Sequence, residues 1–428
     1  HNDDKNDRLD LNVSLDINLG RYFKYQFKFS NYTNFYNRYL FTEVDKLEEN
    51  FVLPDDLTSV TRYSTRNNKL ELNNIVSFDW SRNKHSVSAV AGQTLEKYNL
   101  ENVRAVKQGT PGNSSNLRYL DAAYFGDWAE GGLREWNALG FLGRVNYSFD
   151  NRYLLQANFR ADASSKFSKK DRWGYFPSAS VGWRFSSEEF MRSLTALSFG
   201  KIRLGWGLLG NNRIDEYARY TIINNEFNYS YGVGNHTTQS GATATSLGND
   251  HLKWEKTTSY NVGLDLGFFN NMFTATFEYY DKKTSDMLLR VPVSIAAGLN
   301  TAPMVNAGDV SNRGFEATLN YNQRLHDFSW SVGFNISYNK NKVISLGLGD
   351  EPIYGGYLEE ASIQNYVTKT EVGMPIGYFY GYVTDGIFQT PEEVAHSAQN
   401  DGITQPGDFR FKDLNNDGKI DANDRTYL

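Results

Sequence analysis

The chain has 428 residues, with 44 lysines and arginines against 50 aspartates and glutamates, a net charge of −6 and no cysteine. Disulfides and thiolate metal sites are excluded, and interspersed, mildly acidic charge argues against nucleic acid as a partner. Tyr and Phe number 28 each, yet mean hydropathy is −0.57 and no apolar run reaches the ~18 residues of a membrane-crossing helix. A β-barrel reconciles the two, because half of every strand is polar while aromatic residues mark the bilayer interfaces. The chain opens His1-Asn2-Asp3 with no signal peptide, which reads as a mature or truncated piece of an exported protein.

Taken in chain order, the same unit occurs six times. Leu9, Leu11, Val13, Leu15, Ile17 and Leu19 alternate with polar residues, and the return strand carries Phe23, Tyr25, Phe27 and Phe29. Leu70, Leu72, Val76, Phe78 and Trp80 precede Val87, Ala89 and Ala91. Phe141, Gly143, Val145, Tyr147 and Phe149 precede Tyr153, Leu155, Ala157, Phe159 and Ala161. A period of two gives each strand one apolar and one polar face. For both apolar sets to share a face the turn must be odd in length, so Phe149 should sit opposite Tyr153. The fourth pair is Ala179 to Phe185 with Ile202 to Leu208. The fifth is Tyr260 to Leu266 with Phe273 to Tyr279, turned at Asn270-Asn271, and the sixth is Phe315 to Tyr321 with Trp330 to Tyr338.

That makes about twelve strands of near ten residues, the length a tilted membrane strand needs. Short connections fall near Gly20, Asn83, Asp150, Glu188, Asn270 and His326. Long ones fall near residues 30–68, 97–139, 162–174, 209–253, 281–313 and 340–428. Segregation of short and long connections predicts an all-β, antiparallel up-and-down transmembrane β-barrel with short periplasmic turns and long extracellular loops. A large secreted β-rich module, glycan-binding or adhesive, is the alternative of another class.

Several stretches resemble the SusC/RagA family of TonB-linked outer-membrane transporters. They are Gly140-Phe-Leu-Gly-Arg-Val-Asn-Tyr, the run from Asn151 to Phe167, Trp173 to Phe185, Lys201-Ile-Arg-Leu-Gly-Trp-Gly, Trp254 to Asp265 and Asn306-Ala-Gly-Asp-Val-Ser-Asn-Arg-Gly-Phe-Glu. The resemblance implies a barrel of about 22 strands, of which residues 1–428 supply a part. It also implies an N-terminal plug that meets TonB, a SusD-like surface lipoprotein over the outer mouth, and import of oligosaccharides or oligopeptides. Neither plug nor final C-terminal strands are legible here, so the chain is expected to be a barrel fragment. Within the wider TonB-dependent class, a siderophore or cobalamin receptor would need convergent Arg or Lys in its loops, which the sequence does not show.

The sharpest local motif lies in the long segment 340–428. Asp413, Asn415, Asp417, Lys419 (through its carbonyl), Asp421 and Asp424 follow EF-hand loop spacing, with Gly418 at the sharp turn and Asp in place of the closing Glu. No flanking helices are evident, so a structural Ca²⁺ without an EF-hand competes with a hydrogen-bonded Asx turn. For substrate, loop aromatics suit stacking on sugar rings: Trp128, Trp136, Tyr229, Tyr231, Tyr354 and Tyr357 are the candidates. Packing between loops, or against a lipoprotein, is the competing role.

No enzyme pattern emerges. The six histidines fall in turns or loops without an H-E-x-x-H or triad order. Gly205-Trp-Gly-Leu-Leu-Gly210 lies on a strand with no helix after it, so it is no nucleotide loop. No catalytic residue or catalytic cofactor is expected.

Overall fold

A computed structural model describes residues 1–43, 57–231, 237–291, 298, 301–347, 349–360 and 363–428. Twelve long strands are hydrogen-bonded in chain order. They are β1 (Asn2–Leu19), β2 (Phe23–Thr42), β3 (Ser59–Arg82), β4 (His85–Gln108), β5 (Phe125–Phe149), β6 (Tyr153–Ser164), β7 (Trp173–Trp183), β8 (Leu197–Asn211), β9 (Glu255–Phe268), β10 (Phe273–Ser285), β11 (Asp309–Leu325) and β12 (Phe328–Ser345). The chain divides into two units, His1–Met191 with Gly205–Trp254, and Arg192–Leu204 with Glu255–Leu428. β8 contributes its second half to the first unit and its first half to the second.

In the first unit the wall hairpins are antiparallel, and β5 and β6 pair without a register shift from Ala138–Ser164 to Phe149–Tyr153. Phe149 does lie opposite Tyr153, and both Asp150 and Asn151 take positive φ, as a three-residue turn requires. Phe141, Val145, Tyr153, Leu155 and Phe159 are about half exposed on one face. From Phe141 to Phe149 the strand advances about 27 Å at 3.4 Å per residue, close to the ~25 Å apolar band of an outer-membrane barrel. Aromatic pairs close both ends of that band. Phe149 stacks on Tyr153 at 6.3 Å at the short-turn end, and Phe141 on Trp173 at 6.3 Å at the other.

The short turns of this unit are stitched together. Lys84 pairs with Asp150 at 3.2 Å and Asp150 with Arg152 at 3.2 Å. Arg152 reaches Glu188 at 3.2 Å. Glu188 also accepts from the Tyr153 hydroxyl at 2.8 Å and the Trp183 indole at 3.2 Å, and the Tyr153 hydrogen bond is the main reason its carboxyl stays below the usual range. Segment 184–196, expected as a short turn, contains two 3₁₀ turns, and Phe185 belongs to the first of them rather than to a strand.

The strands are much longer than ten residues: β3 and β4 have 24 each and β5 has 25. Consequently much of segments 30–68 and 97–139 is ladder, not loop. Past the apolar band the strands no longer separate hydrocarbon from a polar interior, and residues such as Phe41 and Val60 are buried, so the side chains lose their period of two while backbone pairing continues. Segment 209–253 likewise contains a hairpin, Ile222–Tyr231 with Thr237–Ser246.

The second unit repeats the pattern. Phe268 lies opposite Phe273 across a turn in which Phe269, Asn270 and Asn271 all have positive φ. Leu325 lies opposite Phe328 across His326-Asp327. Beyond β12 the chain builds its own four-stranded sheet, ordered Ile353–Glu360, Ile363–Thr370, Tyr378–Tyr382 and Arg425–Tyr427. Segment 340–428 is therefore not one loop. A small apolar core of Val310, Val343 and Leu346, with Met287 and Ile353 against it, seats that sheet on the wall strands of its unit.

Candidate functional site

On the polar face of the first unit, side chains two residues apart and directly cross-strand meet in a ladder. Lys69 bridges Glu71 at 3.7 Å and Glu96 at 3.1 Å, and Asn73 donates to Glu71 at 2.7 Å. Arg160 closes on Asp162 through two hydrogen bonds of 2.8 Å. Gly140 faces that pair; a Cβ there would collide with Asp162 and Thr94. Further toward the short turns, Arg144 donates to Asn158 at 2.6 Å and Asn158 to Ser178 at 3.0 Å. In the second unit the same face carries Arg203, which grips Asp265 at 2.8 and 3.2 Å and lies 3.6 Å from Glu278. The pairs two residues apart, such as Arg160 with Asp162, follow from sequence spacing, whereas the cross-strand partners, Lys69 with Glu96, Arg144 with Asn158 and Arg203 with Asp265, depend on register.

Trp128 and Trp136 were expected in a loop, but both lie on β5, on the face that bears the polar ladder. Trp136 stacks on Tyr98 at 5.7 Å with an interplanar angle of 19°, and the Lys166 ammonium lies 5.7 Å from its ring. Lys166 is itself fixed by the Ile214 carbonyl at 2.8 Å and by Glu216 at 3.8 Å. Trp128 is 42% exposed, with the Arg104 guanidinium 4.9 Å from its ring and Glu130 3.5 Å from Arg104. Two indoles therefore line one face, each backed by a paired cation.

Tyr354 lies on the first strand of the four-stranded sheet of the second unit. Its ring is 5.8 Å from Tyr366 and 6.0 Å from Tyr380. The Lys369 ammonium sits 5.8 Å from Tyr354 and 5.0 Å from Tyr380. Glu371 holds Lys369 at 2.6 Å and accepts from the Tyr378 hydroxyl at 2.5 Å. Burial and that carboxylate push the buried Tyr378 hydroxyl's pKa well above its usual range, so it serves as a fixed donor. The backbone of Tyr357 pairs with Tyr366, and those of Tyr229 and Tyr231 with Gln239 and Thr237. The side chains of Tyr229, Tyr231 and Tyr357 lie outside the described residues.

The six Asp-rich-loop residues fall in one loop before the last strand, and side-chain oxygens of five of them, Asp413, Asn415, Asp417, Asp421 and Asp424, accept backbone N–H groups. Asp413 accepts from the N–H groups of Asp417 at 3.2 Å and Gly418 at 2.8 Å. Asn415 accepts from Asp417 at 3.0 Å, and Asp417 from Lys419 at 2.9 Å. Asp421 accepts from Asn423 at 2.7 Å and forms a capping box with Asp424. Asp424 is fully buried and accepts from Leu414 and Asp421, both at 2.8 Å. Among the described residues no three His, Cys, Asp or Glu side chains gather in a metal-holding group. As arranged the loop is a hydrogen-bonded Asx turn; a Ca²⁺ held here would draw on the carboxylate lone pairs that those N–H groups leave open.

The family model for TonB dependent receptor-like β-barrels matches residues 1–422. TonB-dependent receptor P3 of Formosa agariphila is 30% identical over 359 residues, covering 83% of this chain and 35% of that protein. TonB-dependent receptor SusC of Bacteroides thetaiotaomicron is 34% identical over 292 residues, covering 67% of this chain and 28% of that protein. The chain thus spans about a third of the length of these curated relatives. Among solved structures, the RagAB peptide transporter superposes with a TM-score of 0.82 over 100% of this chain and 44% of that chain, at 20% identity. The outer membrane transporter YddB of Escherichia coli gives 0.53 at 12% identity, covering 87% of this chain and 46% of that chain. Both of these are likenesses of fold.

Proposed function

The chain belongs to the TonB dependent receptor-like β-barrel family, and from that premise we propose that it is part of the wall of an outer-membrane importer. It takes up oligosaccharides or oligopeptides together with a SusD-like surface lipoprotein, with energy delivered through TonB. The observation that carries this is the division of labour between the two faces of β5 and β6. One presents a half-exposed apolar band with aromatic ends to lipid. The other carries hydrogen-bonding side chains below the indoles of Trp128 and Trp136.

Neutral or zwitterionic solutes suit this lining better than anionic iron chelates. The cations near the indoles are already paired, Arg104 with Glu130 and Lys166 with Glu216, so the convergent positive cluster a chelate needs is not formed by them. Indole and phenol faces stack on sugar C–H groups or on peptide side chains alike. The exposed rings of Tyr354 and Tyr366 offer a further contact surface.

Uptake by the native bacterium tests the proposal. Labelled oligosaccharide and oligopeptide mixtures are offered to cells with and without the gene, before and after collapse of the proton gradient. One mixture is expected to enter only with the gene and the gradient intact. Replacing Trp128 and Trp136 with Ala should lower that uptake about tenfold, the loss of about 1–2 kcal/mol of stacking, at unchanged protein level. Uptake that survives gradient collapse would sink the importer reading.

A further inference from the structure

The lipid face of the first unit carries a hollow. Ala89 and Ala91 of β4 lie beside Gly143 of β5, with Ala91 directly opposite Gly143. A Cβ on Gly143 would meet nothing within 4 Å. Larger side chains border these positions: Phe78 and Val76 of β3 lie opposite Ala89 and Ala91, and Phe159 of β6 lies opposite Gly143. Phe78 is braced by Phe23 at 5.0 Å, and Phe159 by Tyr175 at 6.3 Å. Together they enclose a groove of about 510 Å³. Strands β2 to β6 are each paired on both sides. Further wall strands would therefore add at the edges of the sheet, and a domain inside the lumen would meet the opposite face.

Beyond the groove the same face of β4 turns polar in a fixed order. Gln93 follows Ala91, opposite Asn74 on one side and Phe141 on the other. Asn74 accepts from the Tyr25 hydroxyl at 2.8 Å, which occupies its oxygen and leaves its NH₂ to donate. Leu95 comes next, then Lys97, which is exposed and, among the described residues, forms no ion pair. One row further out, Glu135 accepts from Asn99 at 2.8 Å. From Gln93 to Lys97 the strand advances about 14 Å, or about 10 Å of depth at the tilt of a barrel strand. Hydrocarbon, amide and ammonium thus follow one another toward the long-loop end. Acyl chain, acyl linkage and phosphate take the same order in an anionic lipid, and a lysine stem reaches readily to headgroup level.

We propose that this strip docks one anionic lipid of the outer leaflet. An acyl chain lies in the groove over Ala89, Ala91 and Gly143, its ester or amide linkage meets Gln93 and Asn74, and its phosphate meets Lys97. The site rests on this face meeting lipid and is independent of the cargo.

The test uses the full-length protein, stripped of lipid in detergent, and native mass spectrometry with two probes, lipid A and lipid A freed of its phosphates. The phosphorylated probe should be retained about fivefold better, the worth of one lysine beside an anionic lipid. Lys97→Gln should abolish that preference. Gly143→Leu, which fills the groove from a position with open space around it, should lower retention of both probes. Heat-modifiable gel migration verifies that each variant is folded. Equal retention of the two probes by the unaltered protein, or retention of neither, overturns the site. So does a preference that survives in folded Lys97→Gln, or undiminished retention in folded Gly143→Leu. A dimer of the unaltered protein that Gly143→Leu splits would give the groove to a second copy instead. The comparison of probes on the unaltered protein decides even if a variant does not fold, and no uptake result bears on it.

Discussion

Asp424 is a fully buried carboxylate that forms no ion pair among the described residues, and it is stable there because two backbone N–H groups point at it. The Asp421 N–H is the chief cause of its lowered pKa, with Leu414 adding to it. A carboxyl depressed in the folded state stabilises the loop fully above its unfolded pKa of about 4 and loses that contribution as pH falls through the lower folded value. The protection of the Leu414 and Asp421 amides, taken as their exchange relative to the intrinsic rate at each pH, should therefore be constant from neutral pH to about 5 and fall below about 4. Asp424→Asn should speed exchange at one of these amides about tenfold at neutral pH, because an amide NH₂ then faces an N–H donor. EDTA should leave the unaltered loop as it is. Slower exchange on adding Ca²⁺ would show instead that the oxygens re-aim onto an ion. The sequence displays the spacing of these aspartates plainly, but spacing does not say whether an oxygen turns outward to an ion or inward to the chain. That choice depends on where Leu414 and Asp421 bring their N–H groups.

At the scale of elements, the turn from Phe149 to Tyr153 is the most tightly specified feature. Three residues between matched aromatic positions put Arg160, Asn158 and Gln156 on the inner face and Tyr153, Leu155 and Phe159 on the lipid face. Inserting one glycine after Asn151 moves every β6 side chain to the opposite face, or forces a bulge. Arg160, opposite Leu142 near the outer end of the apolar band, would then cost about 0–1 kcal/mol, and Asn158 and Gln156, nearer the middle of the band, would be turned to hydrocarbon as well. The insertion should abolish heat-modifiable migration, whereas a two-glycine insertion, which restores parity, should recover much of it. Equal folding of both insertions would show that lipid does not impose the register. These hairpins were legible because lipid on one side and polar groups on the other write a period of two into the sequence. The upper halves of β3, β4 and β5 were not, since Arg62, Ser64 and Arg66 take the alternate positions on β3 that Leu70 and Leu72 hold lower down, and the apolar period breaks off there. For the same reason Trp128 and Trp136 looked like loop residues. The signal that could have placed them is length: β4 and β5 run in register from His85–Phe149 up to Val106–Trp128.

The molecule as a whole exposes 28268 Å², against roughly 17000 Å² for a water-soluble globular monomer of its 48.8 kDa mass. Alternate residues from Leu9 to Leu19 on β1 and from Phe328 to Tyr338 on β12 are apolar and about half exposed. A secreted β-sandwich would fold those faces together into a core, so the same strands in water would have no reason to stay single-layered. What keeps them single is a second solvent, the bilayer, on one face. The faces also explain why buried residues are scarce on the wall and concentrate where loops fold over, at Phe167, Leu252 and Trp254 in one unit and Val310, Val343 and Leu346 in the other. Stability of the wall should therefore follow the amphiphile more than the core. Truncating the half-exposed Phe159 or Phe334 to Ala should cost about 1–2 kcal/mol in lipid, the transfer energy of an aromatic side chain. In a water-soluble protein the same exposed positions would change stability by about 0.5 kcal/mol or less. Urea unfolding in phospholipid vesicles measures the difference, and small effects at both positions would mean that this face does not meet hydrocarbon.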